Sequence, residues 1–223
     1  MIALSARDVW VFDLDNTLYP ADHTIFDTIG DRMTAYIARH LRVSMADALA
    51  LRERYHDAYG ATVIGLMENH GIDPGDFLDD VHNTPLDGVA PDPALAALIG
   101  ALPGRRIVFT NGARGYAHRI VAQLGLTGVF ERIVALEDVG LIPKPELVAF
   151  ERFVALCGVD PRRAVMIEDH ARNLQAPAAM GFATVLVGVD TAPGPYVQTA
   201  TPDLHAFLAA IVASRIDQTG VSP

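Results

Sequence analysis

The chain has 223 residues, 51% of them apolar, which supplies a sizeable core and excludes global disorder. Acidic residues outnumber basic ones 27 to 17, for a formal charge of −10, which argues against a general nucleic-acid surface, since that needs a basic stripe. Its apolar runs are short and broken by charge or glycine, so no membrane span is expected, and the first residues lack the pattern of a signal peptide.

The single cysteine, Cys157 in ERFVALCG, leaves no internal disulfide framework and reads as a buried structural thiol in a reducing, cytoplasmic setting. The eight histidines form no His-x-His or His-x3-His pair, which argues against a zinc site.

In chain order, VWVFDL (9–14) reads as the first buried strand, and it runs directly into Asp13 and Asp15. Then Ile25, Ile29, Met33, Ile37 and Leu41 recur every fourth residue, the mark of an amphipathic helix. Ser44-x-x-Asp47 resembles a capping box and opens a second helix through about Tyr59, followed by shorter helices at about 62–70 and 74–82. Met33, Met45 and Met67 are read as packing these helices together. Asp92-Pro93 opens a helix that returns the chain to the sheet.

Four more strands follow: RIVFT (106–110), RIVAL (132–136), AVMIE (164–168) and ATVLV (183–187). Helices at about 113–124, from Lys144-Pro145 to Gly158, and at about 171–180 alternate with them. The stretch 192–203 is read as a loop ending in a Thr201 cap with Pro202 at the first helical position. A closing helix reaches about Ile216, and the last few residues fray. Strand–helix alternation with near-continuous apolar strands predicts an α/β fold, a doubly wound, Rossmann-like parallel sheet. Residues 20–90 carry no convincing strand and are expected to form a helical insertion, placed like a lid above the end of the first strand. The core is then 1–19 and 91–223.

Ligands bind such sheets beyond the carboxyl ends of the strands. Those ends carry Asp13, Asp15 and Thr17, then Thr110-Asn111-Gly112, then Glu168 and Asp169 with Asn173 a helical turn on; Lys144 opens the helix between the third and fourth strands. This set suits phosphoryl transfer through an aspartyl-phosphate. A carboxylate nucleophile must approach a phosphorus surrounded by anionic oxygens, and Mg2+ with a lysine cancels that repulsion. Asp13 attacks; Asp15 protonates the departing alkoxide and then deprotonates the water that hydrolyses the intermediate. Asp13 and Asp169 would bind the ion by side chain and Asp15 by its backbone carbonyl. Thr110 and a helix-starting amide would hold phosphate oxygens. His23, Tyr19 and Arg114 are further candidates to face the cleft, and His170 reads as exposed.

These motifs resemble those of the haloacid dehalogenase superfamily. DLDNT carries its Asp-x-Asp-x-Thr signature, TN the second motif, KP the third and EDHARN the acidic fourth, in the right order over nearly the whole chain. The resemblance implies a Rossmann-like core, a helical cap over 20–90 and dependence on Mg2+. It also implies Asp13 as nucleophile, Asp15 as acid/base, Thr110 and Asn111 on phosphate, Lys144 as charge stabiliser and Asp169 as metal ligand. Thr17, Glu168 and Asn173 act beside them, with Glu168 standing where many relatives have glycine or aspartate. FDLDNTLYP, with Asn16 and Tyr19-Pro20, is most similar to the pyrimidine 5′-nucleotidase-like subgroup. The resemblance thus implies a phosphatase of small phosphorylated metabolites, with nucleoside 5′-monophosphates among them. A phosphomutase or sugar-phosphate phosphatase of the same fold is the alternative. A 2-haloacid dehalogenase fits less well, because halide leaves without a proton and has no use for Asp15. A non-catalytic binding protein fits poorly with intact Asp13, Asp15, Lys144 and Asp169.

Overall fold

Val9, Trp10, Val11 and Phe12 are all buried, and the strand they form, β1 (Val9–Phe12), lies in the interior of the sheet. The computed structural model describes residues 4, 7–20, 23–188 and 194–219. Five further strands join β1: β2 (Arg105–Phe109), β3 (Arg132–Val134), β4 (Ala164–Glu168), β5 (Ala183–Val187) and β6 (Thr199–Thr201). The order is β3-β2-β1-β4-β5-β6, and every pairing is parallel. Phe12 aligns with Val108 on one side and Ile167 on the other, so the residues just past β1, β2 and β4 emerge together. The winding reverses at β1, which places the ligand crevice of such a sheet at the carboxyl ends of its central strands.

The chain divides into two compact units, one of Met1–Pro20 with Ala90–Pro223 and one of Ala21–Val89. Within the second, α1 (His23–Leu41), α2 (Met45–Tyr59), α3 (Thr62–His70) and α4 (Pro74–His82) pack on one another. Ser44 caps α2 by accepting from the Asp47 amide, Asp73 caps α4 through the Asp76 amide, and Gly60 and Gly71 close α2 and α3 in the left-handed conformation. Gly65 lets α3 sit close against α2: a Cβ there would lie 2.3 Å from Cγ of Tyr55. Arg52 spans α2 to α1, donating from Nη1 to the Gly30 carbonyl at 2.5 Å and to Thr34 Oγ1 at 3.1 Å.

In the first unit α5 (Pro93–Gly100), α6 (Arg114–Gln123), α7 (Leu147–Cys157), α8 (Gln175–Met180) and α9 (Leu204–Thr219) accompany the sheet. Alternation divides the strand side chains between two faces. Val9, Val11, Ile107, Phe109 and Met166 join Phe150 and Phe153 of α7 in one apolar cluster, with Phe109 stacked on Phe153 at 4.7 Å. Trp10, Phe12, Val108 and Val165 are buried on the other, where Phe12 meets Phe130 edge-on at 5.8 Å. This is the doubly wound α/β sheet that the strand–helix alternation predicts. At the amino-terminal end of the sheet, the buried Arg7 guanidinium donates into a cage of carbonyls from Pro161, Arg162, Ala164 and Gly181.

Several expected boundaries differ. β1, β2 and β3 stop one to two residues short of the apolar runs, although the Asp13 and Thr110 amides still donate to the Ile167 and Val134 carbonyls at 2.9 and 3.0 Å. β6 falls inside the stretch read as a loop. It is a three-residue, part-exposed edge strand of polar and small residues, too short for alternation to mark it. Thr201 Oγ1 accepts from the Asp203 amide, and Asp203 accepts from the Ala206 amide, so α9 starts at Leu204 and Pro202 lies before it. The helix continues to Thr219 rather than Ile216, and the four final residues lie outside those described. Met45, read as packing the helices, is 55% exposed. Cys157 is buried, and among the described residues no helix is long and apolar enough to cross a membrane.

Candidate active site

At the carboxyl end of β1 the chain turns sharply. Asn16 takes a positive φ of 58°, a conformation asparagine tolerates, and the Leu18 amide closes the turn on the Leu14 carbonyl at 2.9 Å. The turn separates the two aspartates. Asp13 is 6% exposed; Lys144 Nζ donates to its Oδ1 at 2.6 Å and Thr17 Oγ1 to its Oδ2 at 3.3 Å. Asp15 is half-buried and receives the hydroxyls of Tyr19 and Tyr116, both on Oδ1.

Lys144 reaches Asp13 from the segment leading into α7. Its Nζ also donates to the Phe109 carbonyl at 2.9 Å, lies 3.5 Å from Glu168 Oε1 and stands 5.4 Å from the centre of the Phe109 ring. Burial pulls the ammonium down, but Asp13 and Glu168 more than offset this and leave its pKa above the ordinary lysine value. Lys144 is therefore a fixed cation. Asn111 holds it in place: its amide accepts from the Lys144 N–H at 2.8 Å and donates to the Lys144 carbonyl at 3.0 Å.

Behind this pair Asp13, Glu168 and Asp169 each bring a carboxylate oxygen within 4.8 Å of the others. Glu168 is 1% exposed; Asn173 Nδ2 donates to its Oε1, while its Oε2 is buried with no hydrogen-bond partner. Burial, then Asp13, pushes Glu168 up to about 8, and the same two causes raise Asp169. Three close carboxylates, one ending in an orphaned buried oxygen, fit a hard divalent cation bound by oxygen ligands. Glu168, whose role the motif left open, belongs to this cluster; the Asp15 carboxylate does not, which leaves its backbone carbonyl as what it could offer a cation.

Burial, then Asp13, pushes Asp15 up to about 6. Burial, then the Asp15 charge, raises both Tyr19 and Tyr116 above the ordinary phenol value, so both remain donors. Thr110 is 1% exposed, and its Oγ1 accepts from the Gly112 amide at 2.9 Å. A Cβ at Gly112 would come within 3.3 Å of that oxygen and 3.7 Å of Asp15 Oδ2, so the absent side chain leaves room between them.

Three of the candidate groups carry other bonds. Asn111, expected on phosphate, has both ends of its side-chain amide engaged by the Lys144 backbone. The first amide of α6, Arg114 N–H, is taken by the Glu137 carboxylate at 2.9 and 3.1 Å, so an anion could not use it unless Glu137 moved. The Arg114 guanidinium pairs with Asp138 at 2.6 Å. His170 is exposed, and the His23 side chain lies outside the described residues. Tyr19 is a candidate from its place beside the first motif. Tyr116 belongs to no motif, and its one signal is that a tyrosine on the buried face of a helix must find a partner for its hydroxyl.

Known proteins share both sequence and fold with this chain. "Phosphate metabolism protein 8" of Saccharomyces cerevisiae is 29% identical over 199 residues, 81% of this chain and 61% of that protein, so the chain spans less than two thirds of the yeast relative. The (S)-2-haloacid dehalogenase of Xanthobacter autotrophicus is 26% identical over 188 residues, covering 79% of this chain and 73% of the dehalogenase. The solved structure of a phosphatase of the haloacid dehalogenase family from Thermococcus onnurineus superposes with a TM-score of 0.64 at 16% identity, covering 92% of this chain and 97% of that one, a likeness of fold. The family profile of haloacid dehalogenase-like hydrolases matches residues 8–181, a span that starts before β1 and runs through β4 and α8, and the chain is a member of that hydrolase family.

Proposed function

We propose that the chain is a Mg2+-dependent phosphomonoester hydrolase that works through an aspartyl-phosphate on Asp13. One observation carries this reading: a second carboxylate, Asp15, follows two residues after Asp13 yet is held apart from the carboxylate cluster by two phenols. Displacing a halide requires no proton donor, whereas expelling an alkoxide does. The yeast relative's name, with its reference to phosphate metabolism, points the same way.

Asp13, Glu168 and Asp169 would hold Mg2+, with the Asp15 carbonyl beside them. When bound, the ion supplies positive charge against the phosphate oxygens and the nucleophile. Lys144 and Thr17 orient the Asp13 carboxylate, and Lys144 places a further positive charge where the transferring group must arrive. Asp13 attacks phosphorus, and the bond from phosphorus to the substrate oxygen breaks as Asp15 gives that oxygen its proton. Asp15, now ionised, takes a proton from water as the water attacks the same phosphorus. The bond to Asp13 breaks and phosphate leaves.

We further assign the helical unit 21–89, inserted in the chain between the first two motifs, as the cap that selects the substrate. Nucleoside 5′-monophosphates of the pyrimidines are the leading substrates, from the resemblance of FDLDNTLYP to that subgroup. The buried, unpaired Cys157 accords with a reducing cytoplasm. The test is phosphate release with Mg2+ across nucleoside monophosphates, sugar phosphates and phosphoamino acids, with 2-chloropropionate as a dehalogenase control. A preference for UMP, CMP or dTMP supports the whole reading. Broad, slow release keeps the phosphatase and removes the nucleotidase, and chloride release without phosphate release overturns both.

A further inference from the structure

Asp15 is reached by two phenols from distant parts of the chain. Tyr19 comes from the same turn, and its backbone bridges that of Asp15; Tyr116 comes from α6, 101 residues on from Asp15. Both rings are buried, at 6% and 2% exposure, and their hydroxyl oxygens lie 2.7 Å apart. Tyr116 stands 2.9 Å from Asp15 Oδ1, and Tyr19 meets the same atom. Both hydroxyls are in reach of Oδ1, and the contact between their oxygens ties the two phenols to each other. The other carboxylate oxygen, Oδ2, lies on the side of Gly112 and Thr110: a Cβ built on Gly112 would stand 3.7 Å from it and 3.3 Å from Thr110 Oγ1.

We infer that Tyr19 and Tyr116 are positioning residues: their hydroxyls hold Oδ1 of Asp15 and so commit Oδ2 to proton transfer at the reacting centre. An oxygen already accepting from phenols is a poor seat for the carboxyl proton, because its lone pairs are in use. The proton that Asp15 donates is then carried on Oδ2, facing the leaving oxygen. A carboxylic acid free to rotate would present its proton in many directions, and misplacement of a proton donor is costly in rate. The inference rests on the proposed phosphatase reading, in which Asp15 is the acid and base.

The test uses the full chain with Mg2+ and a series of aryl phosphates: 2,4-dinitrophenyl, p-nitrophenyl and phenyl phosphate. The readout is kcat/KM, which reports the step that expels the phenol whatever limits later turnover. Tyr19→Phe, Tyr116→Phe and Asp15→Asn are compared with the parent, and melting temperatures establish that each is folded. Phenyl phosphate needs the proton most, so each Tyr→Phe variant should lose about tenfold more on it than on the dinitrophenyl ester, a fraction of what full acid catalysis supplies. Asp15→Asn should show the same gradient more steeply, and adding Tyr116→Phe to it should steepen the gradient no further. Equal losses across the series, no loss, or a further gradient on top of Asp15→Asn would overturn the positioning role while leaving the phosphatase reading intact. A flat response of Asp15→Asn itself, or no turnover of any ester by the parent, would overturn the phosphatase reading and this inference with it.

Discussion

Lys144 meets Asp13 across 131 residues of chain, Nζ to Oδ1 at 2.6 Å, in a pair almost closed to water. Such a pair has been desolvated at both ends, so its partners depend on each other more than an exposed pair would. Lys144→Ala leaves the Asp13 carboxylate buried without the ammonium that pairs with it. In metal-free protein the expected loss is roughly 3–5 kcal/mol of unfolding free energy. Urea denaturation in the presence of EDTA measures it, and an unchanged midpoint would mean that the pair contributes nothing.

Asp13→Asn keeps the shape of the side chain and removes the nucleophile. Turnover of every phosphate ester should fall by on the order of 10³-fold or more, with the fold retained by circular dichroism. Lys144 loses one anionic partner but keeps Glu168 and the Phe109 carbonyl. Activity near that of the parent would remove Asp13 from the mechanism.

The positions of the strand-end residues were legible because their signals are local. Asp13 and Asp15 follow an apolar strand, and Ser44, Asp73 and Asp92 each stand one residue before a helix whose amide they accept. What escaped was made by distance or by weak pattern. β6 is three residues on an edge, with no alternation to betray it. Nothing in the helical period of α6 says that Tyr116 will meet Tyr19, 97 residues away, or that Glu137 will take the first amide of α6. The Asn111 amide follows the same logic: its sequence neighbours suggest phosphate, but the peptide that fills it comes from 33 residues on.

Gly65 is a site where α2 and α3 touch without a side chain between them. Gly65→Ala would gain about 1 kcal/mol in helix propensity. It would also press a methyl to 2.3 Å from the Tyr55 ring, far inside contact distance. Tyr55 is buried and cannot swing away freely, so overpacking wins and a net loss of roughly 1–3 kcal/mol is expected. Thermal unfolding of the full chain reads the sign, and a stabilised variant would mean that the two helices separate easily.

Asn111→Ala tests whether this residue serves phosphate or lysine. Both amide bonds to the Lys144 backbone are lost, each worth about 0.5–1.5 kcal/mol, so the melting temperature should fall. Lys144 then loses its fixed position and kcat should drop about tenfold. A variant with unchanged stability and kcat but a raised inhibition constant for inorganic phosphate would return Asn111 to direct phosphate binding.

The carboxylate cluster sets the direction in which pH and metal act on each other. Glu168 is pushed up to about 8, chiefly by burial and then by Asp13, so metal-free protein holds a proton there at neutral pH that a cation must displace. Mg2+ affinity should therefore rise with pH between about 6 and 8, by up to about tenfold per unit for one proton displaced. The stability of the metal-free protein runs the opposite way. Its folded-state pKa lies above the ordinary 4.5, so the folded state binds the extra proton and stability declines as pH rises from there through about 8. Saturating Mg2+ binds only the folded form and should counter that decline, so the gain in melting temperature over EDTA widens with pH. Glu168→Gln cannot release the proton and should flatten the trend. A Mg2+ shift of equal size at both ends of the range would place the ion away from Glu168.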